Sequence, residues 1–481
     1  MAISTKNESG SIGCTMVFLA PFLIAGLGAL GKGIYTVFDK REFTEEIIAM
    51  LGVGFVFTLV GGGLILAVFW GAKRKKELEK LKAQYPDAPW LWRKDWASGR
   101  VNSSTPAGVA VYWFMGIVFS GMSVIILANL DEILRKGLIA YTVFLFPIVG
   151  FSMLLAAIYA TLRSYKFGKV GCDLLTNPGI IGGWFRAVIW APVNVGPGDA
   201  VETQLTCFHC YTSGSGKNRT AHRNVKWQET LNVGHEHLAT EGDGSVAIPI
   251  RFFVPRACTP STPGAPTSRY EWELKAKAAV SGIDFLIEFI VPVFVTEDSS
   301  DKKPDPAELD AYTSASLPQW KPSIDVIEQV DSLEFYARPR RSWSVVFSIT
   351  LFTTIWTGII VVMLYSGEVP LLFPIVFGFF DLLLIATALW IWFGSARLYF
   401  EHGSAHIDKS ILGIGSRSVV PIADITGVDA HITMQSGATP YYTIRIHTGK
   451  QRKHTVGGIR NKAEAMDIVN RIEALLLHSI S

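Results

Sequence analysis

The sequence predicts a helical membrane protein with six transmembrane helices and two soluble β-rich domains. Two observations predict this class: six long apolar runs in three pairs, and alternating apolar and polar residues in the polar stretches. The runs cover about residues 12–37, 46–70, 107–129, 138–162, 343–365 and 371–393. Each is long enough to cross a hydrocarbon core of about 30 Å, for which a helix needs about 20 residues. With 49% hydrophobic and 18% charged residues, the chain combines membrane and aqueous parts.

The basic flanks of the apolar runs give the predicted orientation, because positive residues in short loops mark the cytoplasmic side. They contain Lys73–Lys76 after the second run, Arg163, Lys166 and Lys169 after the fourth, and Arg338, Arg340 and Arg341 before the fifth. All three flanks lie on one side if both termini are cytoplasmic. The first run is interpreted as an uncleaved span rather than a signal peptide, since it is long and no good cleavage site closes it.

The alternation of runs and polar stretches predicts six segments. They are a first transmembrane hairpin (1–71), a basic, Trp-rich cytoplasmic loop (72–105), a second hairpin (106–163), a cytoplasmic β-sandwich domain (164–337), a third hairpin (338–395) and a C-terminal α+β domain (396–481).

The two β-rich domains are predicted from period-two patterns, which are typical of half-buried strands. In the central domain, residues 246–254, 270–278 and 285–293 alternate cleanly, and about seven short strands separated by turns favour an antiparallel β-sandwich. The last region begins with strands and ends in an amphipathic helix at about 462–478, for which Asn461 and Glu464 have capping-box spacing. A small sheet or open barrel closed by this helix is the simplest packing.

The segment PWLWRKDW at residues 89–96 predicts a membrane-interface anchor. Three tryptophans mixed with cations suit the boundary where the indole ring is buried and its N–H stays hydrated. The candidate anchors are Trp90, Trp92, Trp96, Arg93 and Lys94. Attraction to anionic lipid and binding of a protein partner are both open interpretations of this segment.

Asp381 is the most specific candidate for a functional residue, because it lies inside the otherwise uncharged sixth run. A carboxylate there costs roughly 2.5–3.5 kcal/mol and by default faces protein or water. The turn between the last two runs is centred near residue 368, so an antiparallel partner at the same depth lies near residue 355. That depth places Thr353, Thr354 and Thr357 close to Asp381, and Thr350, Thr354 and Thr357 share a helical face. The site is interpreted either as a proton or cation relay or as a hydrogen-bonded acid that fixes the helix pair.

The remaining motifs predict no catalytic residue, no cofactor and no metal site. The pair Cys207 and Cys210 lies three apart on a predicted strand, so the two side chains point to opposite faces. His235-Glu236-His237 lacks metal-ligand spacing, and Gly214–Lys217 lacks the spacing of a phosphate loop. A net charge of +3 is too small to indicate nucleic-acid binding.

Three stretches carry a family resemblance: PWLWRKDWASGRV at 89–101, residues 270–294 ending in VPVF, and VVPIADITGV with MQSGATPYYTIRI in the C-terminal region. They resemble an uncharacterised family of bacterial multi-span inner-membrane proteins, a domain of unknown function. The central pattern is similar to arrestin-like and immunoglobulin-like sandwiches, and the tail resembles pleckstrin-homology-like (PH-like) domains. The resemblance implies localisation in the cell inner membrane and carries over no catalytic role.

These observations favour a non-enzymatic inner-membrane scaffold or regulatory protein that presents two cytoplasmic β domains for protein or lipid binding. The expected partners are the lipid bilayer, proteins and anionic lipid, with no nucleic acid. One alternative is a transporter or channel that uses Asp381 in the last hairpin. Another is a membrane enzyme acting on lipid or glycan, which would need paired acids or histidines near the interface.

Overall fold

The protein contains both helices and several β-sheets. A computed structural model describes residues 6–40, 44–103, 108–128, 135, 145–168, 170–197, 199–215, 219–240, 245–265, 267–302, 322–329, 332–339, 343–367, 369–449 and 452–480. Within these residues, the helices of more than four residues are α1 (Lys6–Lys40), α2 (Glu45–Gln84), α3 (Gly108–Ala128), α4 (Leu145–Phe167), α5 (Trp343–Ser366), α6 (Leu372–Phe393) and α7 (Lys462–Ile480).

Five of the described helices contain a stretch long and apolar enough to cross a membrane. These stretches are Ala20–Asp39, Met50–Gln84, Pro147–Phe167, Val345–Ser366 and Leu372–Phe393. Helix α3 contributes a shorter apolar stretch, Val109–Gly121. The first part of the predicted fourth run, residues 138–144, lies outside the described residues.

Glycines allow close contact between α1 and α2. A Cβ atom on Gly54 would lie 2.7 Å from the backbone N of Leu30, and one on Gly26 would lie 2.5 Å from the backbone N of Thr58. Such distances leave no room for a side chain, so the two helices approach backbone to backbone. Small residues are the usual means of such packing between apolar helices. Gly150 has the same relation to Ser120 between α4 and α3.

The chain forms two compact units. The first comprises Met1–Glu132, Val143–Thr203 and His235–Leu309, and the second comprises Ile133–Thr142, Gln204–Gly234 and Asp310–Ser481. The unit boundary therefore lies within one strand, β5 (Ala200–Ser213), and the following strand, β6 (Thr220–Gly234), belongs to the second unit.

The first unit contains a five-stranded sheet in the order β1-β2-β4-β8-β7 and a second sheet that begins β10-β9-β5. The bounds are β1 (Arg100–Asn102), β2 (Gly171–Leu174), β3 (Gly179–Ile180), β4 (Gly183–Ala191), β7 (Ala239–Thr240), β8 (Val246–Val254), β9 (Ser268–Ala278), β10 (Phe285–Val291) and β11 (Val293–Phe294). Alternate residues of β8 and β10 are buried, as the period-two patterns predict. Strands β3 and β11 form a short parallel pair.

The second unit contains a five-stranded antiparallel sheet, β12-β13-β14-β15-β16, and a three-stranded one, β17-β18-β19. The bounds are β12 (Ile324–Gln329), β13 (Ser332–Ala337), β14 (Gly394–Glu401), β15 (Ser404–Ile411), β16 (Ile414–Pro421), β17 (Ile425–Ser436), β18 (Thr439–Thr448) and β19 (Arg452–Ile459). Their shared core includes Phe335, Leu398, Ile444 and, from helix α7, Ile468 and Ile472.

The apolar hairpin α5–α6 interrupts the five-stranded sheet of the second unit. Strand β13 precedes the hairpin and pairs with β14, which follows it, in a register that joins Ala337 to Ala396. Helix α6 ends at Phe393 and β14 begins at Gly394, so helix and strand are continuous. The predicted boundary at residue 337 is therefore wrong as a boundary between β domains, because β12 and β13 belong to the C-terminal sheet.

The predicted basic loop at 72–105 also has more regular structure than the sequence indicated. Helix α2 continues to Gln84, because the residues after the apolar run are Lys, Glu, Leu and Ala, which favour helix, and the first proline is Pro86. A 3₁₀ turn (Pro89–Trp92), a short helix (Lys94–Ala97) and strand β1 follow, and β1 pairs with β2. The segment is therefore an edge of the first unit's sheet.

Candidate functional site

Asp381 lies in α6 with 7% of its surface exposed and contacts α5. The Thr357 hydroxyl lies 3.0 Å from each carboxyl oxygen of Asp381. The same hydroxyl lies 2.9 Å from the backbone carbonyl of Thr353, one turn earlier in α5. The carboxyl is thus shielded by the partner helix at the depth that the hairpin geometry predicted.

A count of hydrogen atoms limits how this cluster is satisfied. The Thr357 hydroxyl carries one proton and has two acceptors in reach, the Thr353 carbonyl and the Asp381 carboxyl. A single hydroxyl proton therefore serves one of these two acceptors at a time.

The other predicted threonines serve different partners. The Thr350 hydroxyl donates to the Val346 carbonyl and accepts a hydrogen bond from the Trp392 indole N–H at 2.8 Å. The exposed Thr354 donates to the Thr350 carbonyl. Of the three predicted threonines, the structure brings Thr357 to Asp381, while Thr350 fixes the other end of the helix pair.

Thr353 was predicted to lie near Asp381 in depth, but it was not among the three threonines chosen as site residues. It is 8% exposed, and its Oγ1 atom is buried without a hydrogen-bond partner among the described residues. Its i, i+4 relation to Thr357 places both side chains on one face of α5. This spacing was the feature of the sequence that could have added Thr353 to the predicted site.

The Trp-rich segment packs against strands β10 and β11 within the first unit. Trp96 is 3% exposed, and its indole N–H donates to the backbone carbonyl of Ile290 in β10 at 2.8 Å. The Trp96 ring also meets Phe294 edge-on, with ring centroids 6.3 Å apart. A membrane-interface role for Trp96 is therefore wrong, since its ring is enclosed by protein and its N–H is satisfied there.

The neighbouring candidate anchors are partly exposed and also make contacts within the protein. Trp90 packs on Phe294 at 5.5 Å between centroids, and Trp92 donates to the Tyr85 carbonyl at 2.7 Å. Arg93 forms a bidentate pair with Asp95 and stacks on the Trp96 ring, while the exposed Lys94 lies 3.3 Å from Glu77. These contacts join the end of α2 to the sheet.

A groove in the second unit, between strands β6 and β17, was not predicted from the sequence. It has a volume of about 540 Å³ and is lined by Asn224–Gln228 of β6, Ala430–Gln435 of β17, Tyr442 and Lys462. Each strand is an end strand of its described sheet. Its volume lies in the range of small-molecule and peptide sites, about 300–1,000 Å³. No local pattern pointed to it, because the two strands are about 200 residues apart.

Two side chains make hydrogen bonds to β6 at the groove. The Gln435 amide accepts from the Val225 N–H at 2.7 Å and donates to the Arg223 carbonyl at 2.6 Å. Lys462, the first residue of α7, donates to Glu229 at 2.6 Å and to the Gln228 carbonyl at 3.1 Å. Gln435 thus links β17 to β6, and Lys462 links α7 to β6.

The formal charges among the described lining residues are positive. Lys226 and Lys462 line the groove, Lys462 is paired with Glu229, and none of the described lining residues is acidic. The neighbouring acid on β17, Asp429, is engaged by Arg445 at 2.5 Å and by His447 at 3.0 Å. These bonds, chiefly that from Arg445, hold the pKa of Asp429 below its ordinary value. Burial raises the pKa of the lining residue Tyr442 to about 12, so it remains a neutral phenol.

Other candidate groups do not form a site among the described residues. Those residues include no cluster of three His, Cys, Asp or Glu side chains suited to a metal ion. In the predicted His235-Glu236-His237 fragment, Glu236 and His237 approach within 3.9 Å on a 3₁₀ turn. Burial raises the pKa of the Cys172 thiol, which therefore stays protonated and unreactive.

Comparisons with known proteins give no family. No protein-family model matches the chain, and no curated protein matches it. Among solved structures, the chain is similar to a sporulation control protein from Bacillus subtilis at 10% sequence identity, over 53% of this chain and 90% of that one, with a TM-score of 0.18. So low a TM-score does not establish a common fold.

Proposed function

We propose that this chain is a non-enzymatic bacterial inner-membrane scaffold or regulatory protein. In this proposal, six membrane-spanning helices hold a cytoplasmic β-sandwich and a C-terminal PH-like domain near the bilayer, with both termini inside. The two domains bind proteins or anionic lipid and so organise or regulate a process at the membrane. The resemblance to uncharacterised bacterial inner-membrane proteins is part of the same proposal.

One observation carries the proposal: the apolar hairpin α5–α6 is built into the sheet of the second unit. Strands β13 and β14 are neighbours in that sheet, and β14 follows α6 without a linker. A domain that binds only in solution gains nothing from two apolar helices projecting from adjacent strands. Membrane anchorage gives this arrangement a purpose, because it fixes the binding domain at a set distance from the lipid surface.

The test is to identify what the full-length protein retains. The tagged chain is cross-linked in cells, extracted in mild detergent and compared with an unrelated six-span protein carrying the same tag. Proteins that are specifically enriched, or anionic lipid detected by native mass spectrometry, are the expected result. Recovery of neither a specific protein nor a specific lipid would contradict the scaffold function.

A transporter or channel is the second candidate, and the Asp381 cluster is the observation that favours it. A carboxyl shielded at mid-helix and a buried Thr353 hydroxyl without a described partner are features of a proton or cation path. Proteoliposomes containing the wild type should then show a proton or cation flux that Asp381→Ala abolishes. Equal flux in both, or no flux above empty liposomes, removes this candidate.

A further inference from the structure

The groove between β6 and β17 runs along strand edges rather than over a sheet face. Successive residues of a strand point to opposite faces, so a cavity over one face is lined by every second residue. Here consecutive residues line it from both strands, 224–228 and 430–435. The lining therefore consists of the two backbone edges together with side chains from both faces of each strand.

The contact at Gln435 indicates what such an edge accepts. Its side-chain amide donates to one β6 carbonyl and accepts from a β6 N–H two residues later, at Arg223 and Val225. One residue of a parallel neighbouring strand makes the same pair of hydrogen bonds with its own N–H and C=O groups. The β6 edge thus already pairs with an amide at the groove.

The length and charge of the groove indicate the conformation and charge of the segment that it binds. Five residues of β6 extend about 17 Å, which matches an extended peptide of similar length. Lys226 is exposed at the rim, Lys462 also lines the groove, and the acids beside the groove, Glu229 and Asp429, are already paired with basic groups. The complementary segment is therefore extended and acidic.

We propose that this groove binds an extended acidic segment of a partner protein, which adds as a strand to the β6 or β17 edge. Its backbone pairs with an edge strand, its apolar side chains lie against Trp227 and Ile432, and its carboxylates face Lys226. This inference rests on the proposed scaffold function, since it names the docking surface and the class of partner.

The test uses the full-length protein in nanodiscs and a displayed library of random ten-residue peptides. Selected peptides are synthesised, and their affinities are measured by fluorescence polarisation at low and high salt. Lys226→Glu reverses the charge at the rim, and Lys302→Glu, an exposed lysine of the other unit, is the matched control. A second probe is each peptide with alternate backbone nitrogens methylated, which removes strand pairing without changing the protein.

The expected peptides are enriched in Asp and Glu alternating with apolar residues. Lys226→Glu should weaken their binding at least tenfold at low salt, and less at high salt, whereas Lys302→Glu should leave it unchanged. The alternate backbone nitrogens form two sets, and only one set faces the edge strand. Methylation of that set should abolish binding. The proposal is overturned if no peptide is selected, if the selected peptides carry no acidic enrichment, or if binding is indifferent to Lys226→Glu or to the methylation of each set.

These outcomes separate the groove from the broader function. If cross-linking retrieves specific partners but the groove fails the peptide test, the scaffold function stands and the partner docks elsewhere. If cross-linking and lipid analysis retrieve nothing, the scaffold function itself fails.

Discussion

Glu464 ties the first turn of helix α7 to the start of strand β12. The side chain is 7% exposed, and one carboxylate oxygen accepts from the backbone N–H groups of Ser323 at 2.6 Å and Ile324 at 3.0 Å. The Asn461 side chain caps the helix by accepting from the Ala463 N–H at 2.8 Å. The predicted capping box is therefore half realised, because Glu464 satisfies donors of a distant strand instead of the N–H of Asn461.

Replacing Glu464 with alanine should destabilise the second unit by about 1–3 kcal/mol, since the part-buried N–H of Ser323 and the buried N–H of Ile324 lose their acceptor. Hydrogen exchange of β12 and α7 in the full-length protein measures the effect. Glu473→Ala, an exposed residue of the same helix, is the control and should change protection by less than about 0.5 kcal/mol. Equal effects of the two substitutions would contradict this role of Glu464.

Thr357 should contribute more than Thr354 to the stability of the α5–α6 pair. Among the described residues, the Thr357 hydroxyl bonds to Asp381, whereas the Thr354 hydroxyl bonds to the Thr350 carbonyl. Thr357→Val removes that hydrogen bond and should cost about 0.6 kcal/mol and at most about 1.7 kcal/mol, the average and the maximum for hydrogen bonds between membrane helices. Thr354→Val, on an exposed position of the same helix, should be close to neutral. Detergent-titrated unfolding in bicelles measures both, and a larger loss for Thr354→Val would refute the assignment.

At the scale of elements, glycine sets how closely α1 and α2 pack. Gly54 faces the backbone of Leu30, where a Cβ would lie 2.7 Å from its N atom, whereas Gly52 has no described atom within 4 Å of such a Cβ. Alanine has the higher helix propensity at both positions, so the two substitutions share the same local gain. Their difference therefore reports the contact between the helices.

Gly54→Ala should destabilise the hairpin by about 1–3 kcal/mol through overpacking, while Gly52→Ala should be neutral or stabilising. The distance between spin labels placed on α1 and α2 should increase in the Gly54 variant alone. If both variants keep the wild-type distance and stability, the close helix contact is refuted.

Helix and strand positions were largely predictable because their signals are local. The last two apolar runs coincide with α5 and α6, and the alternation at 285–293 coincides with β10 and β11. The pairing of β13 with β14 was not predictable, because it joins residues 333–337 to 396–400 across an apolar hairpin and leaves no periodic trace. The burial of Trp96 was not predictable from the sequence for the same reason, since its partner Ile290 is 194 residues away.

The Asp381 cluster lies between these cases. Hairpin symmetry about residue 368 placed Asp381 near Thr353, Thr354 and Thr357, and the described contact is to Thr357. Rotation of α5 about its axis decides which threonine faces the carboxyl, and that rotation depends on side-chain packing across the pair. The Trp392 contact with Thr350 and the Trp356 contact with the Phe377 carbonyl are part of that packing. The depth was therefore predictable and the individual partner was not.

The apolar helices connect along the chain to two β-rich units. The Trp-rich segment joins α2 to the first unit's sheet, and strands β13 and β14 join α5 and α6 to the second unit's sheet. In the second connection, strand β14 begins at the residue after α6. The proposed scaffold function therefore requires that both β units lie on the same side of the membrane.

Cysteine accessibility in intact cells tests this requirement most directly. Single cysteines at Ser281, Ser416 and Tyr365, in a background without native cysteines, sample the first unit, the second unit and the outer end of α5. A membrane-impermeant maleimide should label the Tyr365→Cys variant from outside, and should label Ser281→Cys and Ser416→Cys only after the membrane is permeabilised. Labelling of either β unit from outside would contradict the proposed orientation, in which both units face the cytoplasm.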